Sequence, residues 1–149
     1  MVHVLERQQL VPRPLGEVFA FFSQAGNLER ITPPWLRFRL LTPEPIEMRE
    51  GTLIEYRLQL HGIPVRWMSR IEEWEDGSTF VDRQLRGPYR LWHHRHEFVA
   101  AGDATVVRDR VRYALPFGAL GELAHVAFVR RDLARIFGFR RAAVTRLLG

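Results

Sequence analysis

Apolar and polar residues alternate through the middle of this chain, which is the pattern of β-strands with one buried face and one wet face. Residues 92–98 (WHHRHEF) show the alternation most clearly. A period of two puts two aromatic rings and two imidazoles together on one face: Trp92, His94, His96 and Phe98. The opposite face carries only polar and charged side chains. We therefore predict a strand whose buried side holds titratable rings among its aromatics.

The turns between these segments predict how residues 52–115 pair. Gly102-Asp103, Asp76-Gly77 and Gly62-Ile63 each suit a two-residue hairpin turn. The resulting pairs are His96 with Asp109, His94 with Val111, Trp92 with Tyr113, Glu73 with Phe80, Ile71 with Asp82, Ser69 with Gln84, Leu58 with Trp67, Leu60 with Val65 and Tyr56 with Ser69. All of these registers assign the apolar residues to the same side, which predicts an antiparallel meander with one buried face.

The flanking segments predict helices and two further strands. Residues 2–11 and 35–41 are expected to be strands, and residues 15–23 and 27–31 short helices. Residues 118–148 are predicted to form one long helix with an apolar stripe of Val126, Val129, Leu133, Ile136, Phe137, Val144 and Leu147. Arg140 falls within that stripe. The helix must lay its stripe on the apolar face of the sheet, so residues 1–149 are expected to fold as a single α+β domain.

Composition narrows the chemistry that the chain can perform. It has no cysteine, which excludes disulfides and thiolate catalysis, and all 22 basic residues are arginines in a chain of net charge +5. The absence of a signal-peptide core and of a long apolar run predicts a cytoplasmic protein without integral membrane association. Nucleic-acid binding is not predicted, because the arginines of the wet face have acidic neighbours and no stacking motif accompanies them.

Three stretches carry a resemblance to a known superfamily: residues 80–89 (FVDRQLRGPY), 92–98 and 109–118 (DRVRYALPFG). With the order of elements, they resemble the helix-grip proteins of the START and birch-pollen-allergen superfamily (SRPBCC), also called polyketide cyclase-like. The likeness covers the whole chain and is strongest to a small bacterial branch, whose members stand alone or are joined to a sugar-nucleotide epimerase-like domain.

The resemblance implies an architecture and a general role. The architecture is a curved antiparallel sheet of about seven strands wrapped around a long C-terminal helix, with two short helices after the first strand. The role is a deep cavity for an apolar or amphipathic small molecule. Because members of the superfamily include carriers, cyclases, hydrolases and co-chaperones, the likeness does not specify a ligand.

The predicted cavity wall combines the buried face of the sheet with the stripe of the helix. Burying unpaired polar groups would cost roughly 1–3 kcal/mol each, so the polar members must bond to one another, to water or to a ligand. The predicted wall residues are Tyr56, Trp67, Ser69, Phe80, Asp82, Gln84, Trp92, His94, His96, Phe98, Asp109, Val111, Tyr113, Val129, Leu133 and Phe137.

Two interpretations of the histidines remain open. His96 and Asp109 form either an acid/base pair, because a carboxylate fixes the tautomer of an imidazole and raises its pKa, or a buried clasp that fixes strand register. His94 and His96 lie roughly 7 Å apart along a strand and could share a metal with Asp82 or Asp109. Lining of a cavity is the preferred interpretation, so neither a metal nor a cofactor is predicted.

Three functions follow from these alternatives. The first is binding of a small hydrophobic or amphipathic molecule such as a lipid, an isoprenoid or a polyketide-like compound. The second is a cyclase/dehydratase-type enzyme that uses His96 and Asp109, with Asp82 or Tyr113 as proton partner. The third is protein interaction through the basic helix and Phe128 or Phe139, including a possible homodimer.

Overall fold

The computed structural model describes the whole chain from Met1 to Gly149. It contains one antiparallel sheet of seven strands in the order β1-β7-β6-β5-β4-β3-β2. The strands are β1 (His3–Val11), β2 (Arg39–Leu40), β3 (Leu53–Leu60), β4 (Ile63–Glu75), β5 (Thr79–Arg86), β6 (Leu91–Ala101) and β7 (Ala104–Ala114). Two short helices, α1 (Leu15–Phe22) and α2 (Asn27–Arg30), follow β1, and a long helix ends the chain. The predicted helix-grip α+β fold is confirmed.

The hairpin of β6 and β7 has the predicted register throughout, including His96 opposite Asp109 and Trp92 opposite Tyr113. Its turn uses Gly102 at a φ of 64°, a conformation that glycine adopts without the steric cost of a side chain. The strand predicted at residues 35–41 is shorter than expected. A 3₁₀ turn, Pro34–Leu36, precedes the two-residue strand β2, because the fixed φ of proline suits the first position of a helical turn.

The predicted register of β4 and β5 is correct in the middle of the hairpin and wrong near its turn. Ser69 pairs with Gln84 and Ile71 with Asp82, as predicted, but a bulge between Ile71 and Glu73 shifts the pairs closer to the turn. Glu73 therefore pairs with Val81 rather than Phe80 and is exposed. Trp74, which pairs with Phe80, contacts the core in its place.

The predicted register of β3 and β4 was wrong by two residues. The turn lies at His61 and Gly62, both with positive φ (51° and 80°), so Leu60 pairs with Ile63 and Tyr56 with Trp67. Both central residues of a type I′ turn need positive φ, and this pair supplies it. Because the error is an even number of residues, every side chain stays on its predicted face.

The C-terminal helix spans residues 118–148 and is 31 residues long. It consists of α3 (Gly118–Ala124), one π-helical turn (His125–Val129) and α4 (Arg130–Leu148). A π-helical turn inserts one extra residue into the helix. The residues before the turn therefore present to the core the side chain one position earlier than a regular helix would. The stripe prediction was therefore wrong at Val126, which is exposed, while His125 is buried. No helix has both the length and the apolar character needed to cross a bilayer.

The interior contains two clusters of apolar side chains between sheet and helices. We call the first the packed cluster: Val11, Val18, Phe19, Ile31, Phe80, Phe98, Val107, Ala143, Val144 and Leu148. We call the second the aromatic cluster: Leu36, Leu58, Trp67, Trp92, Val111, Tyr113, Leu133 and Phe137. The end of α4 contributes to the packed cluster and its beginning to the aromatic cluster.

Candidate functional site

A cavity of about 190 Å³ lies between the inner face of the sheet, the segment around α1 and α2, and α4. Most of its wall is apolar. It includes these predicted wall residues: Tyr56, Trp67, Ser69, Phe80, Asp82, Trp92, His94, His96, Leu133 and Phe137. Their assembly around one space follows from the even period of the strands, which directs alternate side chains of β3 to β6 to the same side.

The other predicted wall residues lie outside this lining, each for a local reason. The Gln84 amide is bonded to the backbone of Tyr89 at 2.7 and 3.0 Å. Tyr113 is hydrogen-bonded to His125 at 2.8 Å. Phe98 belongs to the packed cluster, and Val111 and Val129 pack within or against the aromatic cluster. Asp109 contacts the lining residues His94 and Arg140 without being part of the lining itself.

Several lining residues were not identified from the sequence. They come mainly from α1, α2 and the segment after them, where short helices carry no strand register to extrapolate: Phe21, Phe22, Leu28, Ile31, Leu36, Phe38 and Tyr89. Arg140, by contrast, was expected to reach into the cavity or across its mouth because it falls within the apolar stripe of the helix, and it lines the cavity.

Two imidazole–carboxylate pairs stand side by side at the cavity wall. His96 donates through Nε2 to Oδ2 of Asp82 at 2.6 Å, and His94 donates through Nε2 to Oδ1 of Asp109 at 2.8 Å. The two imidazole rings stack with their centroids 3.7 Å apart and their planes 22° from parallel. With Arg140, these residues form what we call the polar cluster.

The pairing within the polar cluster corrects the predicted contact between His96 and Asp109. The two residues are opposite in register, but Nδ1 of His96 and Oδ1 of Asp109 are 3.6 Å apart and are not hydrogen-bonded. Side chains lean along the strand direction, so each imidazole reaches the carboxylate diagonal to it. Asp82, on the neighbouring strand β5, is therefore the partner of His96.

The charges of the cluster follow from burial and from these contacts. Burial alone would raise the pKa of Asp82, but the hydrogen bond from His96 and the nearby cationic groups hold it below its usual range. Burial would likewise raise the pKa of Asp109, and the Arg140 guanidinium, 3.4 Å away, holds it well below that range. Burial lowers the pKa of His96 to about 4. At neutral pH, two carboxylates and a guanidinium therefore surround a neutral His96 imidazole.

Aromatic rings surround the polar cluster and complete much of the wall. Phe80 stacks on His96 at 4.1 Å, and Trp67 stands edge-on to Trp92 at 5.3 Å. Trp67 donates its indole N–H to Oγ of Ser69 at 3.0 Å. Burial, followed by the charge of Asp82, raises the pKa of Tyr56, so its phenol stays protonated. The wall thus offers flat apolar surfaces beside a few fixed polar groups, which is the usual construction of a small-molecule site.

The cluster also bears on the alternative of a metal at the histidines. Asp82, His94 and His96 each present one donor atom, and these atoms lie within 4.8 Å of one another. Both Nε2 atoms are already engaged by carboxylates. An ion here would have to displace those hydrogen bonds and would lie near the Arg140 guanidinium, which is 3.4 Å from Asp109 and whose positive charge opposes a cation.

Comparison with known proteins relates the whole architecture to a family. Residues 11–137 match the family described as polyketide cyclase / dehydrase and lipid transport. A comparison with curated proteins gives no match. Three solved structures illustrate the likeness in fold.

The first, a START superfamily protein from Mycobacterium smegmatis, is 11% identical, with a TM-score of 0.70 over 97% of this chain and 99% of that one. The second, the ZhuI aromatase/cyclase from Streptomyces sp. R1128, is 14% identical, with a TM-score of 0.69 over 99% and 96% of the two chains. The third, a nucleoside-diphosphate sugar epimerase from Corynebacterium glutamicum, is 22% identical, with a TM-score of 0.67 over 95% of this chain but 28% of its own. At such identities the likeness establishes a shared fold.

Proposed function

This chain belongs to the polyketide cyclase/dehydrase and lipid transport family, and from that premise we propose that it binds a small, largely apolar molecule between its sheet and its C-terminal helix. The observation that carries the proposal is the cavity itself, with its apolar wall and the polar cluster at one side. Apolar walls supply affinity through the area they remove from water, while the fixed polar groups set orientation.

The size of the cavity narrows the ligand class. A volume of about 190 Å³ is somewhat larger than the roughly 150 Å³ of a cavity that admits benzene and smaller than the roughly 300–1,000 Å³ of pockets for drug-sized ligands. The cavity therefore fits a compact molecule, such as a small aromatic, a short isoprenoid or a short polyketide-like compound. A two-chain phospholipid would not fit without rearrangement, so among lipids we favour single compact ones.

The polar cluster implies that the ligand carries a hydroxyl or carbonyl group at one end. Asp82 accepts hydrogen bonds, the Arg140 guanidinium donates them, and both line the cavity. A purely hydrocarbon ligand would cover these groups and leave them without water, at a cost of about 1–3 kcal/mol per unsatisfied group. Selection against such ligands follows from that cost.

Native mass spectrometry of protein purified from its own host tests the proposal. We expect a retained molecule of the size given above, which would also identify the ligand class. The Asp82→Asn and Arg140→Met variants should retain less of it, whereas Glu72→Gln, on the outer face of β4, should retain as much as the unsubstituted protein. No retained molecule, together with no saturable binding of fluorescent apolar probes, would contradict the proposal.

The two imidazole–carboxylate pairs support a second candidate, an enzyme of the cyclase/dehydratase type. His96 is bonded through Nε2 to Asp82 and its Nδ1 has no hydrogen-bond partner, so His96 with Asp82 fits the geometry of an acid/base pair better than His96 with Asp109. Its low pKa makes it a weak base at neutral pH. If the retained molecule is turned over, His96→Gln should abolish turnover while leaving binding within a few-fold. A carrier would show no turnover in either form.

Phe128 and Phe139, the two residues predicted to contact a partner, differ in their surroundings. Phe139 is half-buried and packs edge-on against Trp35 at 5.9 Å, so it serves the fold, whereas Phe128 is exposed. A homodimer that uses Phe128, and a cytoplasmic location, stay predictions.

A further inference from the structure

A second group of ligating side chains lies outside the cavity, where the start of β1 meets the start of the C-terminal helix. We propose that His3, Glu122 and His125 form a binding site for a divalent transition metal, with Zn²⁺ as the best fit. One donor atom of each residue lies within 4.8 Å of the others, and Nε2 of His3 is 3.0 Å from Oε2 of Glu122.

These distances are close to what a metal requires. Nitrogen and carboxylate ligands of Zn²⁺ lie at about 2.0–2.2 Å, so neighbouring donors of a tetrahedral site are roughly 3.3–3.6 Å apart. The 3.0 Å between His3 and Glu122 is just below that range, and 4.8 Å is the upper limit of the other separations. The rings of His3 and His125 are stacked at 3.6 Å and 14° from parallel, so one ring must turn for both to face the ion.

The local helix geometry gives this group its form. Glu122 and His125 are three residues apart and project from the same face of the helix. The π-helical turn that begins at His125 buries this imidazole where a regular helix would have buried Val126. π-helical turns are frequent at functional sites, and this one exchanges an apolar contact for a ligating group.

The surroundings suit a metal that is reached from solvent. The side chains of His3 and Glu122 are 16% and 31% exposed, so an ion has a route in. Tyr113 is hydrogen-bonded to Nε2 of His125, a contact of the kind that orients metal-ligating imidazoles. Two imidazoles and one carboxylate suit zinc and leave a fourth position for water. A bound ion would tie the first residues of β1 to the C-terminal helix.

Isothermal titration of tag-free, chelator-treated protein with ZnCl₂ tests the proposal. We expect one ion per chain at micromolar or tighter dissociation constant, and at least a tenfold weakening in Glu122→Gln and His125→Ala, since even outer-shell changes cost about 10–100-fold. Glu122→Gln keeps the size of a half-exposed side chain, so it carries the test if His125→Ala fails to fold. Zn²⁺ should also raise the Tm of the unsubstituted protein but not that of Glu122→Gln.

Two control variants define what would overturn the proposal. His61→Ala removes an exposed imidazole that is paired with Asp132 at 2.6 Å, and His96→Gln removes one of the three donor groups in the cavity, so neither should change Zn²⁺ binding. Loss of binding in His96→Gln would place the ion in the cavity instead. Binding that survives both Glu122→Gln and His125→Ala would place the ion outside this group. Either result, or no binding below about 100 μM, contradicts the proposal.

Discussion

The two halves of the interior contain similar aromatic residues but differ in how completely they fill their space. In the packed cluster, Phe19 meets Phe98 edge-on at 5.2 Å, and the end of α4 covers them. In the aromatic cluster, Trp67 and Trp92 stand at the wall of a cavity of about 190 Å³. The helix α4 spans both halves: its C-terminal part packs against the packed cluster, and its N-terminal part covers the cavity.

The halves also differ in where their buried polar groups find partners. Thr105, beside the packed cluster, donates to the backbone carbonyl of Arg13 at 2.8 Å. In the cavity half, the polar side chains of Asp82, His94 and His96 bond to other side chains next to open space. Backbone partners fix the fold, whereas side-chain partners beside a cavity can be exchanged for a ligand. We therefore expect the packed half to contribute mainly to stability and the cavity half mainly to binding.

The largest expected difference between the halves comes from truncating one phenylalanine in each. Phe98→Ala and Phe137→Ala remove the same atoms from side chains that are 3% and 6% exposed. We expect Phe98→Ala to lower the free energy of unfolding by about 4 kcal/mol, within the usual range for such truncations. Phe137→Ala should cost about half as much, because one side of its ring already faces the cavity and makes fewer contacts. Urea denaturation measures both, and equal losses would contradict the comparison.

Adding volume reverses the experiment. Ala143, 1% exposed in the packed cluster, has no room to grow, so Ala143→Leu should lower the free energy of unfolding by about 1–3 kcal/mol. Ala25 lines the cavity, so Ala25→Leu should change that free energy by less than about 1 kcal/mol and weaken ligand retention in native mass spectrometry. If Ala25→Leu destabilised the protein as much as Ala143→Leu, the cavity would be closed by side-chain packing in solution.

The sheet shows how much of this fold the sequence could predict. The two-residue turn at Gly102 and Asp103 can be predicted from the residue types alone. The register that it predicts for β6 and β7 is correct at every pair. The error between β3 and β4 arose because two overlapping turns around Gly62 differ by one residue in position, and only the φ at His61 distinguishes them. Because the register error is an even number of residues, the side chains of the inner face were still predicted correctly.

The candidate site was less predictable, because it depends on geometry that no strand period contains. The lean of the side chains joins His96 to Asp82 rather than to Asp109. The walls contributed by Phe22, Leu28 and Leu36 come from short segments whose docking is tertiary. The π-helical turn at His125 has no periodic signal in the sequence, since a regular helix explains the apolar stripe equally well up to Leu133.

The pH dependence of stability should come mainly from the cavity half. Burial lowers the pKa of His96 to about 4 from an ordinary value of 6.5, so the unfolded chain binds this proton more readily than the folded one. The contribution of the neutral His96 to the free energy of unfolding is fully present above pH 6.5 and is lost as the pH falls towards 4. Between pH 7 and 4.5 we expect a loss of roughly 2 kcal/mol in the free energy of unfolding.

Matched histidine variants isolate that effect. His96→Gln should flatten the dependence between pH 7 and 4.5, measured by urea denaturation at each pH. His93→Gln lies on the same strand but faces the other side of the sheet, so its profile should match that of the unsubstituted protein. A flat profile in the unsubstituted protein would show that folding does not lower the pKa of His96, and an unchanged slope in His96→Gln would assign the dependence to another group; either result contradicts the prediction. The carboxylates extend the loss below pH 4, because their pKa values are also lowered.

The smallest expected effect concerns single hydrogen bonds, one in each half. Thr105→Val keeps the shape of a fully buried side chain and leaves the Arg13 carbonyl without its donor, at a cost of about 1–2 kcal/mol. Ser69→Ala removes the acceptor of the Trp67 indole N–H at the cavity wall. A water molecule in the cavity can replace that acceptor, so the cost should be about 0.5 kcal/mol. A larger cost for Ser69→Ala than for Thr105→Val would mean that water does not reach the wall at Trp67, and that a ligand there must displace side chains instead of solvent.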